Sequence, residues 1–212
     1  MTFKAQASAP KSYASVAAAM REMERLLYPS VELVQSFNDL TLTEKIVAPV
    51  KPKWLLEIGA FKGGTTLLWA WLCPPGTIII SVDIEPQYDA GLLMALARSK
   101  GQALHLIKGD SLAAETQRAV ADILAGEMLD VLYIDSLHED AQLAGELYHY
   151  APLMRSGGRL GLHDITAPMM AGTVNAFAEC GWLGRVVESG CTGWLAFGEN
   201  ERDIIRTFGD KA

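Results

Sequence analysis

The stretch Trp54-Leu55-Leu56-Glu57-Ile58-Gly59-Ala60-Phe61-Lys62-Gly63-Gly64-Thr65-Thr66 decides how the rest of the chain is read. An apolar run ends in Glu57 and Gly59, Gly63 follows four residues later, and an apolar segment of helical character comes next. The pattern predicts a buried strand, a tight turn and the opening of a helix. Glycines in such a turn let backbone approach a ligand, because no Cβ stands in the way. The helix opening offers unpaired N–H groups to an anionic group. Glu57 is read as the carboxyl end of the strand, where open α/β sheets bind ligands, and its carboxylate suits a cationic or hydroxylated ligand. A purely structural alternative stands beside this, since glycine-rich strand–helix turns also let a helix pack back over its sheet. Phe61 occupies the second glycine position of G-x-G-x-x-G, which argues against a dinucleotide binder.

Outward from this stretch, strands and helices alternate. Strands are expected at Trp54–Ile58, Thr77–Val82, Ala103–Ile107, Asp130–Ile134 and Arg159–Leu162. Helices are expected at Gly64–Leu72, Ala90–Lys100, Leu112–Ala125 and Glu139–Met154, the last with Leu143, Leu147, Tyr150, Ala151 and Met154 as its core stripe. Ser156-Gly157-Gly158 reads as a turn. Such alternation means βαβ units and a parallel sheet covered on both faces. The tail differs: a helix near Met170–Cys180, then strands Leu183–Glu188 and Cys191–Phe197 joined at Ser189-Gly190 as an antiparallel hairpin.

Upstream, residues 1–10 read as loose. A helix is expected over Lys11–Tyr28, with Val16, Met20, Met23 and Leu27 on one stripe and Pro29 ending it. Shorter helical pieces are expected near Ser30–Phe37 and Thr43–Val47. Residues 1–50 thus form a helical extension, either a plain cover for the sheet, a substrate lid or a contact between subunits. Residues 51–212 form the main domain, and the two make one compact unit.

Half of the 212 residues are hydrophobic, enough for one domain with a substantial core. The net charge of −7 should repel phosphate backbones, so nucleic acid is not an expected partner. Cys73, Cys180 and Cys191 have no C-x-x-C spacing, so neither a zinc site nor a disulfide framework is indicated, and a cytoplasmic home is the simplest. The N-terminus has no continuous apolar region of the kind a signal peptide needs, and no apolar run is long enough to span a membrane.

Glu57, Asp83 and Asp135 put acidic residues at or near the ends of three strands of the parallel set. Asp83 follows Gly59 by 24 residues and suits a ribose diol, with helix capping as its structural alternative. Ile84 adjoins it. Asp110 and Ser111 follow the third strand, placed for an adenine edge or for capping the next helix. Asp135 ends the fourth strand, and His138 lies three residues beyond, where an imidazole of near-neutral pKa can take a proton from a hydroxyl. His163-Asp164 ends the fifth strand. Neighbouring strands lie about 4.8 Å apart, so Asp135 and Asp164 can share a hard cation such as Mg²⁺, with His163 a further candidate ligand. The alternative is that Asp164 caps a loop and His163 packs. His105 and His149 read as structural.

E-x-G-x-x-x-G resembles motif I of the class I S-adenosylmethionine (SAM) methyltransferases. The order EIGAFKGGTT, SVDIEP, KGDS, YIDSLHED, APLMRSGGRLGLHD and a final hairpin resembles, more narrowly, the cephalosporin-hydroxylase-like and macrolide sugar O-methyltransferase group, over residues 50–198. The resemblance implies a Rossmann-like seven-stranded sheet of order 3-2-1-4-5-7-6 with the last strand antiparallel. It implies SAM held by Glu57, Gly59, Ala60, Phe61, Gly63, Thr65, Asp83, Ile84, Asp110, Ser111 and Asp135. It further implies Mg²⁺ on Asp135 and Asp164, His138 as base, and methylation of a small-molecule hydroxyl on a sugar, phenol or other natural product. Ser136 replaces a usual glycine, and Asp140 stands where an aromatic residue is common. Alternatives are non-methyl chemistry on the same fold, such as hydroxylation or cyclisation, and a non-catalytic SAM-binding partner. Self-association through the N-terminal helices is a further expectation.

Overall fold

β1 (Trp54–Ile58) is buried along its whole length and lies inside the sheet, with a strand on either side. The computed structural model describes residues 16–186 and 191–209. Residues 1–15, Val16's place on the helical stripe and the turn at Ser189-Gly190 therefore lie outside what is described.

β2 (Ile78–Asp83), β3 (Ala103–Lys108), β4 (Leu129–Ile134) and β5 (Met154–Leu162) run parallel to β1. β7 (Gly193–Ala196) lies antiparallel between β5 and β6 (Trp182–Arg185), giving the order β3-β2-β1-β4-β5-β7-β6. This is the order expected from the resemblance.

Pleating divides the sheet's side chains into two layers, since successive residues of a strand point to opposite faces. Leu56, Ile58, Ile80, Val82, Leu132 and Ile134 face one core, which includes Val120 and Leu124 of α5 (Ala114–Leu124) and Leu143 and Leu147 of α6 (Asp140–Tyr150). Leu55, Ile79, Val131 and Tyr133 face the other, with Leu67, Leu68 and Trp69 of α3 (Gly64–Leu72) and Leu93 and Ala97 of α4 (Ala90–Ser99). Met20 of α1 (Val16–Leu27) and Leu40 and Val47 of α2 (Phe37–Val47) join this second core, so the N-terminal helices are packed into the same unit as the sheet. Among the described residues, no helix is long and apolar enough to cross a membrane.

Three elements differ from expectation. Residues 30–36 are not helical: Glu32 donates its N–H to the Lys62 carbonyl and forms a parallel bridge with Gly63. Helix begins only at Phe37, because Ser36 and Asp39 form a reciprocal capping box there, and it runs unbroken through the piece expected at Thr43–Val47. Ser156-Gly157-Gly158 does not separate a helix from a strand. It is a bulge inside β5, between the pairings Leu129↔Met154 and Val131↔Arg159. After Phe197, where no element was expected, α8 (Glu199–Arg206) buries Ile205 beside Phe208. Its short length and mostly charged sequence hide its single buried stripe.

Candidate active site

At the carboxyl ends of β1, β2, β4 and β5 lies a cavity of about 700 Å³. The strand order reverses between β1 and β4, so their ends open a crevice at the switch point of the sheet. Gly59, Ala60, Phe61 and Thr65 line it from the β1–α3 turn, and Asp83, Ile84, Asp110 and Ser111 from the ends of β2 and β3. Asp135, His138, His163 and Asp164 line it from β4 and β5.

Glu57 and Gly63, both expected at the ligand, are outside this lining. Glu57 has the same parity as Leu55, so its side chain points to the α3 face of the sheet. There it is fully buried and accepts hydrogen bonds from Thr66 Oγ1 (2.5 Å), Ser81 Oγ (2.7 Å) and Trp69 Nε1 (3.0 Å). Burial pushes its carboxyl up to about 7 against the pull of those donors. The glycines likewise serve contacts within the chain. Gly59 has φ +91°, and a Cβ there would overlap the carbonyl of Asp135. Gly63, at φ +78°, packs against Tyr88. The turn is thus drawn against β4 and α4, which places its backbone at the cavity wall.

Asp83 does not cap a helix; Asp89 caps α4. Its Oδ2 accepts from the N–H groups of Ala60 (2.9 Å) and Phe61 (2.6 Å), and its Oδ1 from Glu85 (2.7 Å). It therefore pins the glycine turn to the end of β2 while lining the cavity. Asp110 Oδ1 accepts from the Leu112 N–H (2.9 Å) in the turn before α5, but it does not cap the helix, which starts at Ala114 with no side-chain cap. Ser111 donates to Glu146 (2.6 Å), which also accepts from Ser136 (2.6 Å) and Gln142 (2.9 Å). Glu146 is a buried acid set between the apolar positions of α6, a signal in the sequence that such a network lies beneath the site.

At the other end two carboxylates and two imidazoles converge. His138 Nε2 lies 2.8 Å from Asp164 Oδ2 and 3.9 Å from Asp135 Oδ1. His163 Nδ1 lies 2.8 Å from Asp164 Oδ2 and 3.2 Å from Asp135 Oδ1. Burial opposes ionisation of Asp135, but His138, His163 and the Gln35 amide outweigh it and hold its carboxyl down at about 2. Burial also opposes protonation of His163, but bonds to both carboxylates prevail and push it up to about 11. The carboxylates, Asp135 first, raise His138 from its usual value. Ligand atoms of Asp135, His138 and Asp164 lie within 4.8 Å of one another. His163, expected among the metal ligands, is outside that group: its Nδ1 is held by the carboxylates and its Nε2 is buried without a partner.

The sequence reading missed Glu32, Val34 and Gln35, which line the cavity from the extended segment before α2. Nothing local marks them, because their neighbours at the site are distant in the chain.

A seven-stranded sheet of this order, with a glycine turn and an acid–imidazole cluster at its switch point, defines a class I methyltransferase fold. Residues 21–182 match the family described as Rhamnosyl O-methyltransferase/CmcI, and the chain belongs to that family. No curated protein matches the chain by sequence. Among solved structures, the fold is similar to MycE methyltransferase from the mycinamycin biosynthetic pathway, in complex with Mg, S-adenosylhomocysteine (SAH) and mycinamycin VI, at TM-score 0.60 and 16% identity over 88% of this chain. The chain spans 55% of the length of that protein. It is also similar to the O-methyltransferase TomG from Streptomyces achromogenes, in complex with SAM, at TM-score 0.59 and 16% identity, covering 88% of this chain and 92% of that one. CalS11, a TDP-rhamnose 3'-O-methyltransferase of calicheamicin biosynthesis, is similar at TM-score 0.60 and 16% identity over 89% of both chains.

Proposed function

We propose that this chain transfers a methyl group from SAM to a hydroxyl of a small molecule, with Mg²⁺ at the acceptor. The observation that carries this is the meeting, in one cavity, of the Asp83-pinned glycine turn with the Asp135–His138–Asp164 cluster. The carboxylates of Asp135 and Asp164 supply the hard oxygen donors that Mg²⁺ prefers, with room left for other oxygens. Bound SAM supplies an electrophilic methyl on a sulfonium, and the cation supplies positive charge for an acceptor oxygen.

The chain's own residues do the rest. The turn from Gly59 to Thr65 and the residues Asp83, Ile84, Asp110 and Ser111 hold the cosubstrate. Asp135 and Asp164 hold the cation. His138, half exposed at the cavity, takes the acceptor hydroxyl proton on Nε2. Little activation of the methyl donor is needed, so alignment and deprotonation carry the rate. Val34 and Gln35 make the segment before α2 a wall of the same cavity, consistent with a substrate-lid role for the N-terminal extension.

The test is calorimetric and chemical. SAH should bind and NAD should not, and methyl transfer to a hydroxylated acceptor should stop in EDTA and return with Mg²⁺. NAD binding in place of SAH would sink the reading. Full turnover in EDTA would remove the cation from it.

A further inference from the structure

Gln35 reaches the site from outside the α/β core. Its Nε2 lies 3.0 Å from Asp135 Oδ2 across 100 residues of sequence, while His163 and His138 face the other oxygen, Oδ1. A carboxylate only accepts hydrogen bonds, so the amide atom beside it is the NH₂ group and the side chain's orientation follows. The segment that carries Gln35 is fastened on both sides. Ser30 O accepts from the Asp89 N–H, Glu32 pairs with Lys62 and Gly63, and Arg21 donates to the Gln35 carbonyl. Immediately after it, the Ser36–Asp39 capping box sets the start of α2.

We infer that Gln35 is a positioning residue for the cation site: by occupying Asp135 Oδ2 it turns Oδ1 toward Asp164 and His138. The inference rests on the proposed Mg²⁺ site and goes beyond it by making the N-terminal segment part of that site. A carboxylate free to rotate would present either oxygen, and hydrogen bonds to the outer oxygen of a ligand are what fix such geometry.

Gln35→Met keeps length and bulk and removes the donor. Mg²⁺ and, separately, SAH are titrated into wild type, Gln35→Met, Asp135→Asn and the double variant, with thermal melts on each. In Gln35→Met the Mg²⁺ Kd should rise about tenfold, the usual scale for losing an outer partner of a ligand. SAH affinity and melting temperature should stay near wild type. In the Asp135→Asn background, Gln35→Met should change Mg²⁺ affinity no further. An unchanged Mg²⁺ Kd in Gln35→Met overturns the inference. So does a parallel loss of Mg²⁺ affinity, SAH affinity and melting temperature, which would mean that Gln35 only holds the segment in place. Wild type that binds SAH but no Mg²⁺ overturns it too and leaves the transferase reading standing. Wild type that binds no SAH sinks that reading, while the Mg²⁺ arm still decides the role of Gln35.

Discussion

Glu57 and His138 are both ionisable groups at the ends of strands, but their surroundings give them opposite roles. Burial favours the neutral form of Glu57 and raises its carboxyl to about 7. A raised carboxyl contributes stability that is full below its ordinary value of 4.5 and is lost as pH rises through about 7. Urea midpoints measured from acid to mildly alkaline pH should therefore show wild type losing on the order of 3 kcal/mol relative to Glu57→Gln across that window. A constant difference between the two proteins would contradict the assignment. His138 instead faces the cavity, and its value is raised by Asp135 and Asp164. A base must be neutral to accept a proton, so the rate should climb with pH through a value above the ordinary 6.5 of imidazole. His138→Ala should lower kcat by about 10²–10⁴-fold and erase that limb, with SAH affinity unchanged. Turnover within a few-fold of wild type would assign the base elsewhere.

The β1–α3 turn shows why an element's glycines need not mean what their spacing suggests. Gly59 and Gly76 have nearly equal φ values, +91° and +86°, yet a Cβ at Gly76 meets nothing within 4 Å and one at Gly59 overlaps the Asp135 carbonyl. Gly76→Ala therefore isolates the backbone cost, about 1 kcal/mol or somewhat more. Gly59→Ala should cost at least about 2 kcal/mol beyond that and weaken SAH binding, because the turn must move off β4. Equal denaturation midpoints for the two variants would show that the turn yields freely. The segment before α2 makes the same point. Its residues read as a short helix, and it is extended because Glu32 has Lys62 and Gly63 as backbone partners.

At the scale of the whole molecule, the N-terminal helices, the sheet and the cavity share one set of contacts. Met20, Leu40 and Val47 are buried with Trp69 and Tyr133 in one core, and Gln35 touches the cluster that this core supports. A ligand that binds only the folded state should therefore stabilise the entire unit. SAH at a hundred times its Kd should add about 2.7 kcal/mol, several degrees in melting temperature, in a single cooperative transition. NAD at the same concentration should leave the melt unchanged. A biphasic melt in which SAH shifts only one phase would separate the helical extension from the sheet.

Much of this was legible in the amino-acid order. The runs at 54–58, 78–82 and 131–134, bounded by turn residues, read as buried strands, since a four- or five-residue run buried on both faces needs helices above and below. Asp83, Asp135, His138 and Asp164, read at or just beyond strand ends, do meet at one cavity, because a parallel sheet brings all its carboxyl ends to one edge. What the order could not decide was which way each side chain near that edge turns. Glu57 sits one residue inside its strand, and pleat parity sends it to the α3 face. Both His138 and His163 meet the two aspartates, and it is His138 whose ligand atom falls within 4.8 Å of theirs as a group. Gln35 came to Asp135 only through packing. Periodicity is a local property and shows in the sequence; the partner of a buried polar atom is set by residues distant in the chain and appears only when the chain is folded.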